Sequence, residues 1–229
     1  MPTRIYLVRH GATELTAEDR FAGSTDVPLS DEGRHQAAAL AERLKCDRLD
    51  GIYASPMGRT IETARIVGAP HDCQVQVEPD LREIAYGHWE GRTRDEIERE
   101  FAAEYEAWEE DPLTTAPAGG ESGIQVLSRA LPVMRRIVQS HRHQSVLVVS
   151  HKGTNRLLIS SLLGFDARGY RDRLDQSPAA LTILEFANDV RARLRLFNDI
   201  SHYDPLPGRC VEQRLSRWWS RPIQESDGF

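Results

Sequence analysis

Two arginines and two histidines stand just beyond apolar stretches of the chain, where they could bind and attack a phosphate group. Arg9 and His10 directly follow the first apolar stretch, and Arg59 lies a few residues beyond the second. His151 directly follows the β-branched segment Ser145–Ser150. Guanidinium groups bind phosphate oxygens through paired hydrogen bonds, and an unprotonated imidazole can attack phosphorus. These residue types therefore predict that the protein binds a small anion and transfers a phosphoryl group.

A reaction at phosphorus would give the two histidines different tasks and would also need an acid. One imidazole would attack and become a phosphohistidine, while the other, if protonated, would stabilise charge on the equatorial oxygens. Glu83 is the natural general acid for the leaving alcohol, and Glu90 and Glu121 are nearby alternatives. Glu83 has to be partly desolvated if it is to hold a proton beside these cations. Because the arginines would take the place of a metal ion, no metal and no other cofactor is expected.

Buried strands are the elements that would position these side chains. The apolar run Ile5–Val8 is too short for a confident helix, and Gly11 permits a sharp turn at its end. Short apolar segments at 50–54 and 145–150 predict two further strands, of which 145–150 is expected to be central. Ligands bind at the carboxyl ends of parallel strands. If the three strands are parallel neighbours, one crevice receives all the cations and two helix N-termini, which also favour anions.

Capping residues predict where the helices begin. Ser30, followed by two acids, predicts a helix start, and Ser55 with Pro56 predicts a helix that carries Arg59 in its first turn. Thr93 begins a capping box that predicts helix to about residue 110. Ser122 begins a long helix that extends to about residue 140.

The remaining pattern predicts an α/β fold. Residues 74–77 alternate like an edge strand, and 180–186 with 191–198 flank a hairpin turn. We expect a three-layer α/β/α sandwich whose mostly parallel sheet has an antiparallel edge strand. Residues 1–203 would form a single domain with a helical insertion at about 92–121, and 204–229 would form a C-terminal tail.

Composition excludes several classes of function. The chain has 229 residues and a net charge of −6, which argues against general binding of nucleic acid or of anionic membranes. No apolar run approaches the roughly 20 residues that a membrane span needs. An odd number of cysteines without metal-like spacing indicates a reducing compartment. Because the N-terminus leads straight into the first strand, no signal peptide is expected, and we expect a cytoplasmic protein.

Several segments, in this order and spacing between about residues 4 and 203, carry a family resemblance. They are Arg9–Glu14, Arg20–Gly23, Asp26–Gly33, Ser55–Ala64, Leu81–Glu83, Tyr86–Gly91, Gly119–Ser122 and Val148–His151. The set resembles the histidine phosphatase superfamily, in the branch that includes the cofactor-dependent phosphoglycerate mutases. Such blocks are specific in combination, although each alone is weak. The resemblance implies a phosphoglycerate mutase-like fold.

The resemblance also implies a role for each matching residue. It implies that His10 is the phosphorylated nucleophile and that Glu83 is the proton donor. The phosphate pocket that it implies consists of Arg9, Arg59 and His151. Substrate binding would further involve Thr16, which stands where many relatives carry an asparagine, and more weakly Thr13 and the backbone near Gly23.

The clearest departure from the family pattern is Lys152, because relatives often have glycine directly after the second histidine. This lysine could reach a second anionic group of the substrate, or it could point to solvent. His141 and His143 are expected to lie in a solvated loop. Trp218 and Trp219 could cap the site, pack on the body or form a dimer contact.

The function expected first is metal-independent hydrolysis of a small phosphorylated metabolite through a phosphohistidine on His10. The alternative is a phosphoglycerate mutase that depends on 2,3-bisphosphoglycerate. The modest insertion at 92–121 favours hydrolysis, since mutase relatives generally carry a longer one. A catalytically idle scaffold is a third possibility, and the intact catalytic set argues against it. The expected partner is a small phosphorylated substrate, with neither nucleic acid nor membrane, and a homodimer is possible.

Overall fold

A computed structural model describes residues 2–17 and 20–204 and places six strands in one mixed sheet. The strands are β1 (Thr3–Arg9), β2 (Gly51–Ala54), β3 (Val75–Val77), β4 (Ser145–Ser150), β5 (Leu181–Phe186) and β6 (Ala192–Asp199). The helices are α1 (Glu14–Ala17), α2 (Asp31–Leu44), α3 (Gly58–Gly68), α4 (Arg94–Glu100), α5 (Ala102–Glu110), α6 (Gly123–Ser140), α7 (Lys152–Leu163) and α8 (Tyr170–Arg173).

The strand order β3-β2-β4-β1-β5-β6 makes the three strands that precede the cationic residues direct neighbours. β1 pairs in parallel with β4, with Val8 opposite Val149, and β4 pairs in parallel with β2. Their carboxyl ends therefore meet at one edge of the sheet, as the sequence predicts. The mostly parallel sheet is confirmed, and its antiparallel part consists of both β5 and β6.

Alternation along the central strands divides the core into two layers. Ile5 and Leu7 of β1 face a cluster that includes Met134 of α6 and Leu158 of α7. Tyr6 and Val8 face the other side, in a cluster with residues of α2 and α3. Helices thus cover both faces of the sheet, which produces the expected three-layer sandwich.

Three predicted helix starts are confirmed, and one is wrong. Ser30 accepts a hydrogen bond from the Gly33 backbone, and both Thr93 and Ser122 begin capping boxes. The predicted helix start at Ser55 is wrong because α3 begins at Gly58 after Met57. The Ser55 hydroxyl is instead hydrogen-bonded to a histidine of the opposing strand end, as described below.

The segment after β3 approaches the crevice through two short 3₁₀ turns, Pro79–Leu81 and Gly87–Trp89. The helical region predicted after Thr93 breaks at Phe101 into α4 and α5. Its aromatic side chains pack around Trp89 and Phe21. This packing ties the 92–121 segment to the loop that follows α1.

Two sequence expectations fall outside the described structure, and two short helices were not predicted. Trp218, Trp219 and the rest of 205–229 lie outside the described residues. The helices α1 and α8 were not predicted, because four residues are too few to show a helical period. Within 2–17 and 20–204, no helix combines the length and the apolar character needed to cross a membrane.

Candidate active site

His10 is fixed at the end of β1 by its backbone and by one ring nitrogen. Its backbone N–H donates to the Ser150 carbonyl at 3.0 Å, and its own carbonyl accepts from the Ala179 N–H at 3.1 Å. Nδ1 lies 2.7 Å from the Gly11 carbonyl, which can only accept, so Nδ1 carries the proton. Nε2 of the neutral ring therefore keeps its lone pair. The side chain has the tautomer that a nucleophile attacking through Nε2 requires.

His151 lies against His10 at the end of β4, and Ser55 fixes its orientation. The two imidazole centroids are 5.2 Å apart with an edge-on arrangement. Nε2 of His151 is 2.7 Å from the Ser55 hydroxyl, and both residues are fully buried. Nδ1 of His151 is buried and has no hydrogen-bond partner within the described residues. A hydroxyl that donates to Nε2 leaves the proton on Nδ1, where it can be donated to an anion.

Burial beside arginines keeps both imidazoles uncharged. Burial is the main cause that lowers the pKa of His10 well below its usual value, and the charges of Arg59 and Arg9 lower it further. The pKa of His151 is also well below its usual value, through burial first and then through Arg59. His151 is therefore neutral before substrate binds. A bound phosphate dianion would offset the arginine charges and favour protonation.

Arg59 reaches the crevice from the first turn of α3 and is held by the loop after α1. Its guanidinium donates to the carbonyls of Thr25 at 2.7 Å and Gly23 at 3.0 Å. Among the described residues, Asp26 is the carboxylate that pairs with Arg59, at 3.9 Å, and it is largely exposed. Neutral carbonyls thus supply the orientation, while the charges of Glu83, Asp26 and Glu90 act on the guanidinium from a greater distance.

Arg9 lies on the other side of His10 and is oriented by the chain before β5. Its guanidinium donates to the Gln176 carbonyl at 2.6 Å. Burial is the main cause that lowers the pKa of Arg9, to about 10, and the charge of Arg156 adds to it. The Nε atoms of Arg9 and Arg59 are buried without a hydrogen-bond partner in residues 2–17 and 20–204. Uncompensated buried donors of this kind suit a phosphate-sized anion.

Glu83 is buried. Its side chain lies at the N-terminus of α7, the helix that begins directly after His151. One carboxylate oxygen accepts from the backbone N–H groups of Ile84 and Thr154, and the other from that of Gly153. The side chain is buried, and these bonds fix it to the helix that follows His151. A Cβ at Gly153 would lie 2.9 Å from the Glu83 carboxylate, so glycine is needed for this approach.

The two alternative acids have structural partners. Glu121 accepts hydrogen bonds from Arg82, Arg129 and the Ala85 backbone. Burial raises the pKa of Glu121, but the bonds and charges of Arg129 and its neighbours outweigh burial and lower it. Glu90 accepts from Ser24, Thr25 and Tyr86. Both carboxylates hold loops in place, so among the three acids considered Glu83 remains the candidate for the crevice.

The weaker pocket residues lie in the segment that follows His10, which includes α1. Thr13 and Thr16 bond to each other, with their hydroxyl oxygens 3.0 Å apart. Gly23 has φ +50°, and a side chain there would collide with Glu90. Its carbonyl is already used by Arg59, so any contact of Gly23 with substrate would have to come from its N–H.

Two further polar residues lie near the crevice on α7. Lys152 is half-buried at the first position of α7, one residue after His151. Arg156 lies four residues later, so both project from the same face of the helix. Arg156 was not predicted from the sequence, although its spacing from Lys152 was a usable signal. The Gln176 carbonyl was not predicted either, because no local sequence signal marks it.

His141 lies at the opposite end of the sheet from the crevice, half-buried, where its Nε2 is 3.0 Å from the Tyr53 hydroxyl. Its Nδ1 is 2.8 Å from the Gln144 side chain. Within the described part of the chain, no group of three or more histidine, cysteine or acidic side chains has the geometry to hold a metal ion.

Comparison with known proteins agrees with this geometry. The model of the histidine phosphatase superfamily (branch 1) matches residues 5–200. The adenosylcobalamin/alpha-ribazole phosphatase of Escherichia coli (strain K12) is 34% identical over 198 residues, covering 85% of this chain and 95% of that protein. A probable phosphoglycerate mutase, GpmB, of Photorhabdus laumondii is 35% identical over 176 residues, covering 73% of this chain and 78% of that protein.

Solved structures match the fold over most of the chain. YhfR of Bacillus stearothermophilus superposes with a TM-score of 0.81 at 32% sequence identity. The match covers 87% of this chain and 98% of that one. The phosphoglycerate mutase-like fold is thereby confirmed.

Proposed function

The chain belongs to branch 1 of the histidine phosphatase superfamily, and from this premise we propose that it hydrolyses small phosphate monoesters through a phosphohistidine on His10. The observation that carries the proposal is the His10 ring itself. Nδ1 of this ring donates its proton to the Gly11 carbonyl, and the pKa of His10 is lowered. Nε2 is therefore available as a nucleophile between two arginines.

In the first step, Nε2 of His10 forms a bond to phosphorus while the bond from phosphorus to the ester oxygen breaks. Arg9, Arg59 and His151 donate to the non-bridging oxygens, which hold the negative charge. Glu83, as the general acid, gives a proton to the leaving oxygen, and the alcohol departs.

In the second step, water attacks the phosphohistidine. The Glu83 carboxylate takes a proton from the water as the new phosphorus–oxygen bond forms and the bond to Nε2 breaks. Inorganic phosphate leaves, and His10 and Glu83 return to their starting protonation states. Every proton is transferred by a side chain of the crevice.

The test is release of inorganic phosphate from a panel of small phosphomonoesters in excess chelator, including 3-phosphoglycerate with a bisphosphoglycerate primer. We expect free phosphate, and we expect His10→Ala to lower turnover by about a thousandfold or more while the circular dichroism spectrum is retained. Substrate labelled in the phosphoryl group should label the wild-type protein in an acid-labile form and leave the His10 variant unlabelled.

The matched control is His35→Ala, which removes an exposed histidine from α2. Its turnover should equal that of the wild type. Near-normal turnover in the His10 variant would remove His10 from the role of nucleophile. Isomerised phosphoglycerate without free phosphate would establish the mutase instead, and no turnover of any substrate would favour the idle scaffold.

Three organisational features belong to the same proposal. Residues 1–203 form one domain with 92–121 as an insertion, which limited proteolysis should leave as a single resistant fragment. The enzyme works in the cytoplasm, which cell fractionation tests. A homodimer is possible, and sedimentation at the mass of one 25.9 kDa chain would exclude it.

A further inference from the structure

Beside the phosphate crevice, Arg156 is a buried cation with incomplete pairing. Its side chain is 11% exposed, and its only described ion pair is a 3.4 Å contact with Asp175, whose side chain is 66% exposed. Nε of Arg156 is buried and has no hydrogen-bond partner in the described part of the chain. A desolvated guanidinium with a single weak partner costs free energy unless a further anion binds there.

A buried hydroxyl lies in the same region. Tyr170 is 2% exposed, and its hydroxyl has no hydrogen-bond partner among residues 2–17 and 20–204. Tyr170 packs with Leu157 and Tyr86 in one cluster, so it lies beside the α7 turn that carries Arg156. The charge of Arg156 acts on both tyrosines and partly offsets the rise in their pKa that burial causes. Buried hydroxyls normally have a partner, and here none comes from the described chain.

A short chain of contacts joins Arg156 to the phosphate crevice. Arg9 donates to the Gln176 carbonyl, and the Gln176 N–H donates to Asp175 at 2.7 Å. Asp175 in turn contacts Arg156. The two guanidiniums are close enough that Arg156 lowers the pKa of Arg9. A group bound at Arg156 therefore lies next to a phosphate bound at Arg9.

We infer that Arg156 and Tyr170 form a second anion-binding subsite next to the phosphate crevice, which selects phosphomonoesters that carry a second anionic group. The inference rests on the proposed function and specifies its substrate class. The second group is a carboxylate or a further phosphate, joined to the ester by a short linker. Lys152 projects from the same face of α7 and adds positive charge at this side of the crevice. Phosphate esters of neutral alcohols would occupy only the first subsite.

The test compares kcat/KM for matched pairs of substrates in the full-length protein. The first pair is 3-phosphoglycerate and glycerol 3-phosphate, and the second is 1,3-propanediol bisphosphate and 3-hydroxypropyl phosphate. We expect the wild type to prefer the anionic member by about tenfold or more in at least one pair, because charge-assisted hydrogen bonds are strong. The pair with the larger preference distinguishes a carboxylate from a phosphate.

Two variants locate the preference. Arg156→Gln should lower the ratio of kcat/KM for the anionic over the neutral substrate about tenfold, mainly through KM. Tyr170→Phe, which removes only the hydroxyl, should lower the same ratio about threefold. Arg135→Gln, which removes an exposed arginine from α6, is the control for overall charge and should keep the wild-type ratio.

Equal hydrolysis of both members of each pair by the wild type would overturn the subsite while leaving the phosphatase intact. Ratios within twofold of the wild type in both variants would also overturn it. Tyr170→Phe keeps the ring in its cluster, so it remains informative if the arginine variant fails to fold. If no member of any pair is hydrolysed, the proposed function fails as well.

Discussion

A single hydroxyl determines how His151 can act on phosphate. The Ser55 oxygen is 2.7 Å from Nε2, so the other ring nitrogen is the one directed away from Ser55. Since the pKa of His151 is well below its usual value, its ring is neutral before substrate binds and carries one proton, on one of its two nitrogens. A Ser55 hydroxyl that donates to Nε2 fixes that proton on Nδ1. This serine is therefore a positioning residue that acts through His151.

Replacing Ser55 by alanine should lower kcat/KM about tenfold to hundredfold, because His151 would lose its fixed tautomer and orientation. We also expect the pH profile of kcat/KM to change, because the apparent pKa that reports His151 should shift. Ser128→Ala, on the exposed face of α6, is the control. If the Ser55 variant kept its pH profile and lost only thermal stability, the hydroxyl would have a merely structural role.

Between secondary-structure elements, Glu90 connects the loop after α1 to the loop between β3 and α4. It accepts hydrogen bonds from the backbone and hydroxyl of Ser24 and from the Tyr86 backbone. The segment that Ser24 belongs to supplies the carbonyls that orient Arg59. The position of a catalytic guanidinium thus depends on a carboxylate in a different loop.

We expect Glu90→Ala to raise KM and lower kcat/KM about tenfold, because the carbonyls of Gly23 and Thr25 would no longer hold Arg59 in one place. Glu90→Gln retains an acceptor and should fall between the alanine variant and the wild type. Glu106→Ala, an exposed change on α5, provides the comparison. Kinetics of Glu90→Ala that match those of Glu106→Ala would show that the two loops hold Arg59 independently.

The sequence could predict which strand ends carry the chemistry but not which distant loops complete the site. Arg9, His10 and His151 follow strongly apolar strands, so their positions follow from local pattern and from the rule on strand ends. Arg9 and its partner Gln176 are 167 residues apart, and that contact depends on how the chain returns before β5. Ser55 was predicted as a helix cap because Ser-Pro is typical of one, and tertiary pairing with His151 overrode that local preference.

Across the whole protein, positive charge is concentrated at one place although the net charge is negative. The chain carries a net charge of −6, yet Arg9, Arg59 and Arg156 converge near one edge of the sheet. Burial lowers the pKa of each of the three. The protein accepts the cost of desolvating these cations in order to concentrate positive potential where an anion binds.

The same burial makes stability depend on pH through the histidines. The pKa of both His10 and His151 is well below 6.5, the value expected in the unfolded chain, and that of His202 is lowered to about 4, mainly by burial. Below about pH 6.5 the unfolded state therefore binds protons that the folded state does not, and the free energy of unfolding rises with pH in that range. Each such histidine contributes at most about 1.36 kcal/mol per pH unit.

We therefore expect the free energy of unfolding, measured by urea titration, to be nearly constant from pH 7 to 8 and to fall between pH 6.5 and 5. Acids whose pKa is lowered on folding, such as Glu121, act only below about pH 4.5, so this range isolates the histidines. A variant with His10→Asn and His151→Asn should lose up to about 2.7 kcal/mol per pH unit of that slope. His35→Asn, at an exposed position, should keep the full slope. An unchanged slope in the double variant would mean that the crevice histidines take up protons as readily in the folded protein as in the unfolded chain. That result would contradict a neutral His10 nucleophile.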